Sequence, residues 1–377
     1  MVVAGAAANA ASFGILFSFG LFLPPLTEHF DAPTAAVAAV FSGSVLCYYL
    51  AGAVGGSLGD RFGAGPVVAV GAVLLPLGLL GASFGHRLWL VAAAYVPLVG
   101  LAVGTAYAPL IGAVGRAMPD RRGPAIGVLL TGVGLGTLAF PLLIQALLDR
   151  WPWPVVFRIL ASIALVAIGT AAVTVADPGR RDRAVPSGVV WRSMLVSARF
   201  RRLYASVVLV APGFYAPLVF LNDSAIDRGL TPGRGASLVA AIGLGSLVTR
   251  LPFGALAPRI GPRRQYRVSH VGFLSALALW LVADASFAVL LMAALIHGIA
   301  WAAWVTAAPL VLVEWFGADD LGLAVGGFYT GLGLGAVIGP PVTGALIDAA
   351  GLRPALAALL VTTTASLALT RVAESTG

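Results

Sequence analysis

Arg250 is the residue whose type and position most constrain the chemistry of this chain of 377 residues. It sits in ASLVAAIGLGSLVTRLPFGALA, residues 236–257, a segment long enough to cross a bilayer and otherwise free of charge. Holding an ionised side chain at bilayer depth costs about 2.5–3.5 kcal/mol on insertion scales. A carboxylate or an imidazole escapes that cost by changing protonation, whereas a guanidinium does not. The expected arrangement is therefore a cation facing a cavity and meeting an anion there; the plainer alternative is a structural tie to backbone carbonyls. Tyr107 and Asn9 fall at a similar depth, about 10–15 Å from the same end of their own spans at 1.5 Å per residue, and Tyr329 and Trp304 lie in a similar layer. Tyr107 is a candidate hydrogen-bond donor to an oxyanion. For Asn9, Tyr329 and Trp304, simple packing competes with a role at the site. His297 is a candidate proton relay, with helix packing as the alternative.

These residues must be held by membrane-spanning helices. The chain is 59% hydrophobic and 10% charged, and its mean hydropathy is +0.98. Soluble domains carry about 25% charged residues, so soluble enzyme folds are excluded. Apolar segments fall near 2–24, 35–57, 66–84, 89–115, 123–147, 154–176, 202–221, 236–257, 268–283, 287–315, 321–346 and 353–371, giving twelve expected spans. The longest polar break, 177–201, divides them into an N-terminal six-helix bundle (1–176) and a C-terminal one (202–377). Asn222 and Asp223 are expected just beyond the seventh span, and Glu314 at the end of the tenth.

All 23 basic residues are arginine. If both termini are cytoplasmic, sixteen arginines fall inside, six fall outside, and Arg250 remains between them. That asymmetry sets the orientation. It also accounts for the net charge of +8 without a nucleic-acid partner. The expected location is the cell (inner) membrane of a prokaryote, with the lipid bilayer as partner, a monomer as the assembly, and no cofactor or metal.

The two halves repeat. GSLGDRFG (56–63) matches GALAPRIG (254–261), and TGVGLG (131–136) matches TGLGLG (330–335). Pro109 pairs with Pro309 and Pro141 with Pro340, all at offsets of 198–200 residues. Parallel repeats of six spans are the signature of the major facilitator fold, with a substrate site near the midplane where the repeats meet. The expected fold class is thus an all-α membrane protein of twelve helices in two pseudo-symmetric halves. GGSLGDRFG resembles the superfamily's loop motif. Its Asp60 and Arg61 are candidates for a conformational latch, Asp60 by capping the next helix or by pairing with an arginine. In the second copy Pro258 replaces the aspartate.

Three longer stretches resemble the monocarboxylate transporter family: SFGLFLPPLTEHFDAPTAAVAAVFS (18–42), RRGPAIGVLLTGVGLG (121–136), and FYAPLVFLNDSAIDRGLTPGRGASLVAAIGLGSLVTRLPFGALAPRIG (214–261). The last is the most specific, because it carries the arginine in the pattern G-x4-R-x-x-x-G. The resemblance implies transport of small carboxylates such as lactate or pyruvate, usually with a proton, and it places Arg250 on the family's substrate-binding arginine. Animal members have an aspartate four residues before that arginine, where this chain has Ser246. Related oxalate:formate exchangers add a lysine in the eleventh span, and this chain has no lysine. One fixed cation balances one carboxylate, whereas a dianion leaves a charge unpaired in low dielectric. The expected function is secondary active transport of a small monocarboxylate by alternating access, with proton symport. Carboxylate exchange of the oxalate:formate type is the alternative.

Overall fold

The computed structural model describes residues 1–175, 197–316 and 321–375. Thirteen α-helices run in chain order: α1 (Val2–Phe17), α2 (Leu23–Phe30), α3 (Thr34–Phe62), α4 (Ala64–Ser83), α5 (Leu88–Ala117), α6 (Arg122–Leu148), α7 (Trp153–Thr174), α8 (Ala198–Asp227), α9 (Pro232–Ile260), α10 (Pro262–Val282), α11 (Phe287–Phe316), α12 (Leu321–Ala350) and α13 (Leu352–Ser375). The first span is broken. The chain leaves α1 at Ser18, makes one 3-10 turn over Phe19–Phe22, and re-enters helix as α2 with Pro24 and Pro25 in its first turn, bent by 42° from α1. Pro cannot continue an α-helical ladder but suits a helix start. Gly20 is needed at the break, because a Cβ there would collide with the carbonyls of Leu218 and Val219 on α8.

Among the described residues, nine helices are long and apolar enough to cross a membrane, or ten counting the bent first pair. The other two spans of the twelve are α9, which carries Arg250, and α10, whose first half carries Gln265, Ser269 and His270. Those three α10 side chains are buried in the protein. Gln265 donates to the Ala303 carbonyl at 3.1 Å and to Thr306 Oγ1 at 2.7 Å, so α10 needs no apolar face there. Most of the expected linker lies outside the described residues. The seventh span is longer at both ends than its apolar core: α8 begins at Ala198 and ends at Asp227. Asn222 and Asp223 therefore lie on its last turns rather than beyond it, and Asn222 is buried.

The sequence repeat is also a backbone repeat. Gly63 and Gly261 hold the same place between consecutive helices, with φ of 89° and 88°, in the left-handed region that favours glycine. At the first loop Asp60 Oδ1 meets Arg116 Nη1 at 2.7 Å, tying α3 to α5. Arg61 is exposed, its guanidinium 5.1 Å from the ring of Phe62.

The halves meet along two long seams, α3 against α12 and α6 against α9. At the arginine-poor end the first seam is closed by a cap that crosses between halves. The backbone N–H groups of Thr34 and Ala35, at the start of α3, donate to Asp348 Oδ1 and Oδ2 at 3.3 and 3.2 Å. First-turn N–H groups have no acceptor within their own helix, and a carboxylate also complements the positive end of the helix dipole. A cap of this kind contributes about 1 kcal/mol, roughly a fivefold bias toward closure. Asp348→Ala is expected to raise, about fivefold, the rate at which a membrane-impermeant thiol reagent labels Leu218→Cys in a Cys47→Ser background. An unchanged rate would show that this contact does not hold the end shut.

Candidate substrate-binding site

The site is built where the second seam crosses the middle of the bundle. Counted from the arginine-rich ends of their helices at 1.5 Å per residue, Asn9 on α1, Leu130 on α6 and Tyr329 on α12 lie about 10–12 Å deep, and Arg250 on α9 and Tyr107 on α5 about 15 Å. Five separate helices thus bring polar groups to one layer.

Arg250 is 9% exposed. Its Nη2 donates to Ser246 Oγ, one turn earlier on the same helix, at 3.2 Å, and its Nη1 donates to the Leu130 carbonyl of the other half at 3.3 Å. Its Nε–H is buried without an acceptor. Among the described residues no carboxylate forms an ion pair with it. Both readings of this arginine from sequence are therefore partly realised. It is tied to backbone, but only through one of its five N–H groups, and its charge is unmatched. The Leu130 carbonyl already serves its own helix, so it offers a second lone pair rather than a counter-ion.

Tyr107 and Tyr329 are the tyrosines within electrostatic reach of the guanidinium. Tyr107 stands edge-on to Phe13, with ring centroids 5.1 Å apart. Tyr329 stacks on Tyr49 across the α3–α12 seam at 6.2 Å and 10°. Asn9 is fully buried and donates from Nδ2 to the Leu129 carbonyl at 3.2 Å, one residue before the carbonyl that holds Arg250. Its Oδ1 has no partner. Asn9 on α1 and Arg250 on α9 therefore donate to adjacent carbonyls of α6.

Trp304 and His297 are not brought to Arg250. Trp304 is fully buried behind Tyr329, with its ring 6.1 Å from that tyrosine and 5.8 Å from each of Phe214, Tyr266 and Phe328. His297 lies against Phe214 and Phe273, its Nε2 3.1 Å from the Phe214 carbonyl. Both sit within the packing of the C-terminal half.

Sequence reasoning passed over Tyr48, Tyr49 and Tyr215. The hydroxyls of Tyr49 on α3 and Tyr215 on α8 are 2.7 Å apart, a hydrogen bond from one half to the other. Together with Tyr107 and Tyr329 they make five of the eight tyrosines in the chain, in one cluster of which Tyr107 and Tyr329 reach the cation. The available signal was the adjacent pair Tyr48–Tyr49 inside an apolar span. The side toward the arginine-poor end is lined by rings: Phe17 meets Trp301 at 5.1 Å, and Phe41 meets Tyr215 at 5.8 Å. A buried guanidinium with a spare N–H, hydroxyls beside it and aromatic walls can bind a small oxyanion that has an apolar tail. It offers no nucleophile–base pair for bond breaking.

The chain matches the sequence profile of the Major Facilitator Superfamily over residues 4–235 and again over 203–375. It is 32% identical to human monocarboxylate transporter 11 over 373 residues, covering 93% of this chain and 77% of that protein. To monocarboxylate transporter 13 of the rat it is 29% identical over 355 residues, 91% of this chain and 81% of the relative. Among solved structures, a POT family transporter in complex with 5-aminolevulinic acid superposes with a TM-score of 0.81 at 12% identity, over 98% of this chain and 94% of the other.

Proposed function

Since the chain belongs to the monocarboxylate transporter family of the major facilitator superfamily, and so is a membrane transporter and not an enzyme, we propose that it carries a small monocarboxylate that docks on Arg250. The observation that supports this is the buried guanidinium with an unpartnered Nε–H and no ion-paired carboxylate among the described residues. An anion of one charge neutralises the site, and a dianion overshoots it. The carboxylate accepts from Arg250, with Tyr107 and Tyr329 as donors beside it, and its short apolar tail rests on the rings of Phe13 and Tyr48. Asn9 acts on the same layer by holding α6 in register. Lactate and pyruvate have the required charge and size.

Neutralising the cation removes the cost of enclosing it, so the loaded carrier rocks about the α3–α12 and α6–α9 seams while the site closes to each side in turn. Asp60–Arg116 at one end and Asp348 of α12, capping α3, at the other are the latches of that exchange. Arg61 stands at the first latch as an exposed surface charge. Proton symport is the proposed coupling, and it follows from the family rather than from a carrier group beside Arg250. His297, in the tenth span, is the side chain that this coupling would draw on. The proposed setting is the cell membrane, with both termini cytoplasmic and the protein acting as a monomer. Proteoliposome uptake of labelled L-lactate separates the coupling modes. Symport predicts accumulation driven by an inward proton gradient with no internal substrate. Exchange predicts uptake only into vesicles preloaded with a carboxylate.

Removing one hydroxyl tests the docking geometry. A hydrogen bond to a charged group is worth about 1.5–3 kcal/mol, so Tyr107→Phe is expected to raise the half-saturation concentration for lactate at least tenfold. Trp304→Phe, buried behind Tyr329, is expected to change it less than threefold. Equal effects from the two variants would remove Tyr107 from the site.

A further inference from the structure

A cavity of about 560 Å³ opens at the arginine-poor end of the bundle, outside the layer that holds Arg250. That volume suits a small organic molecule. Its walls come from both halves. The N-terminal half supplies Glu28 and His29 of α2, Gln145 of α6, and Trp151 and Trp153 at the turn into α7. The C-terminal half supplies Asn222 of α8 and the start of α9. The cavity therefore sits across the arginine-poor end of the α6–α9 seam.

Its polar chemistry favours a donor of positive charge. Asn222 is 1% exposed, and its Oδ1 has no hydrogen-bond partner. A Cβ on Gly235 would collide with that oxygen, which places it against the first turn of α9. A buried acceptor left unpaired is costly, and a donor brought by a ligand relieves the cost. Glu28 is exposed, and among the described residues no cation forms an ion pair with it. Gln145 Nε2 donates to Asp149 Oδ1 at 2.7 Å, so a second carboxylate stands one turn further along α6. The arginines of this region are directed elsewhere. Arg234 lies over the ring of Phe287 at 5.4 Å, and Arg228 donates to the carbonyls of Asp284 and Trp280. Arg150 is exposed and does not line the cavity. An anion is thus repelled here.

The apolar part of the lining is aromatic. Trp153 is buried, with its ring edge-on to His29 at 5.6 Å, and Trp151 is half exposed. Such rings accept an apolar body, and their faces attract a cation. Because the walls belong to both halves, a ligand lies between the halves rather than along the lipid face.

We propose that this cavity binds a small organic ammonium ion with an apolar body. The ammonium donates to Asn222 Oδ1 and to Glu28, and the body rests against Trp151 and Trp153. A ligand held by both halves braces this end shut, because the halves must part there for the carrier to open. The site does not depend on what Arg250 binds.

The test is the melting temperature of the purified full chain in detergent at pH 8, titrated with 2-phenylethylammonium chloride or with the neutral 2-phenylethanol. The amine is expected to stabilise wild type and the alcohol is not. Asn222→Ala is expected to raise the amine concentration needed about tenfold, through the lost hydrogen bond to a charged group. Glu28→Gln, at an exposed carboxylate, is expected to raise it about threefold. Arg250→Gln is expected to titrate as wild type, so that failure here and failure of the carboxylate site are read separately. At ten times the wild-type midpoint, the amine is expected to slow thiol labelling of Leu218→Cys, in the Cys47→Ser background, about tenfold. Equal stabilisation by amine and alcohol, or unchanged midpoints in Asn222→Ala and Glu28→Gln, would overturn the site. An unchanged labelling rate would overturn the bracing. A midpoint raised by phosphatidylethanolamine added to the micelles would assign the cavity to a lipid headgroup and overturn the free amine.

Discussion

Arg250→Gln is expected to lose substrate without losing the fold. Truncating one partner of a buried charge pair costs about 2–5 kcal/mol, which is roughly thirtyfold to several-thousandfold in affinity. Lactate uptake should fall by at least that lower bound, and lactate should no longer raise the melting temperature of the variant. Ligand-free stability should move the other way or not at all. The arginine is enclosed with an unpartnered Nε–H and no ion-paired carboxylate among the described residues, so the empty site carries a charge that an amide does not. Glutamine can still reach the Leu130 carbonyl or Ser246. A variant that keeps lactate-dependent stabilisation would place the anion elsewhere. A variant that unfolds would make the arginine a structural tie between α9 and α6.

Ser246→Asp is the complementary change. Ser246 Oγ already accepts from Arg250 Nη2 at 3.2 Å, so a carboxylate at this position, one turn away on the same helix, meets the guanidinium with no movement of the backbone. The charge that otherwise waits for substrate would then be satisfied from within. Two opposite charges about 4 Å apart attract by about 4 kcal/mol at the effective dielectric of a partly hydrated site, and a substrate anion must compete with that. Uptake at neutral pH is expected to fall about a hundredfold. It should recover as pH falls, because protonating the new side chain frees Arg250, and it should decline as pH rises. A pH-independent loss would mean that the aspartate acts by shape alone. The wild-type serine then has a clear meaning: it holds the arginine's direction without cancelling its charge.

Much of the frame was legible in the residues. Twelve spans, two halves and the loop between α3 and α4 follow from hydropathy and from Gly63 and Gly261 recurring 198 residues apart. Arg250 stood out because a cation inside an apolar span is costly whatever surrounds it. What surrounds it was harder to read. Depth along each helix can be counted, so Asn9, Tyr107 and Tyr329 could be put in one layer with Arg250; so could Trp304, which packs behind Tyr329. Depth does not give rotation about the helix axis, and rotation decides which side chain faces the seam. The same limit hid Tyr49 and Tyr215, whose hydroxyls meet only because α3 and α8 from different halves turn those faces together. Asp348 was missed for another reason. It lies near the end of an apolar helix where an acidic residue needs no explanation, and its partners are backbone N–H groups with no sequence signature. The first half of α10 lowers its hydropathy as a span because it carries Gln265, Ser269 and His270, which are buried and bond inside the bundle.

The most direct test of a monocarboxylate site on Arg250 is uptake of labelled L-lactate into proteoliposomes under an inward proton gradient, wild type beside Arg250→Gln. Gradient-driven accumulation by wild type, lost in the variant at equal reconstitution, is the predicted result. Equal uptake by the two proteins would contradict it.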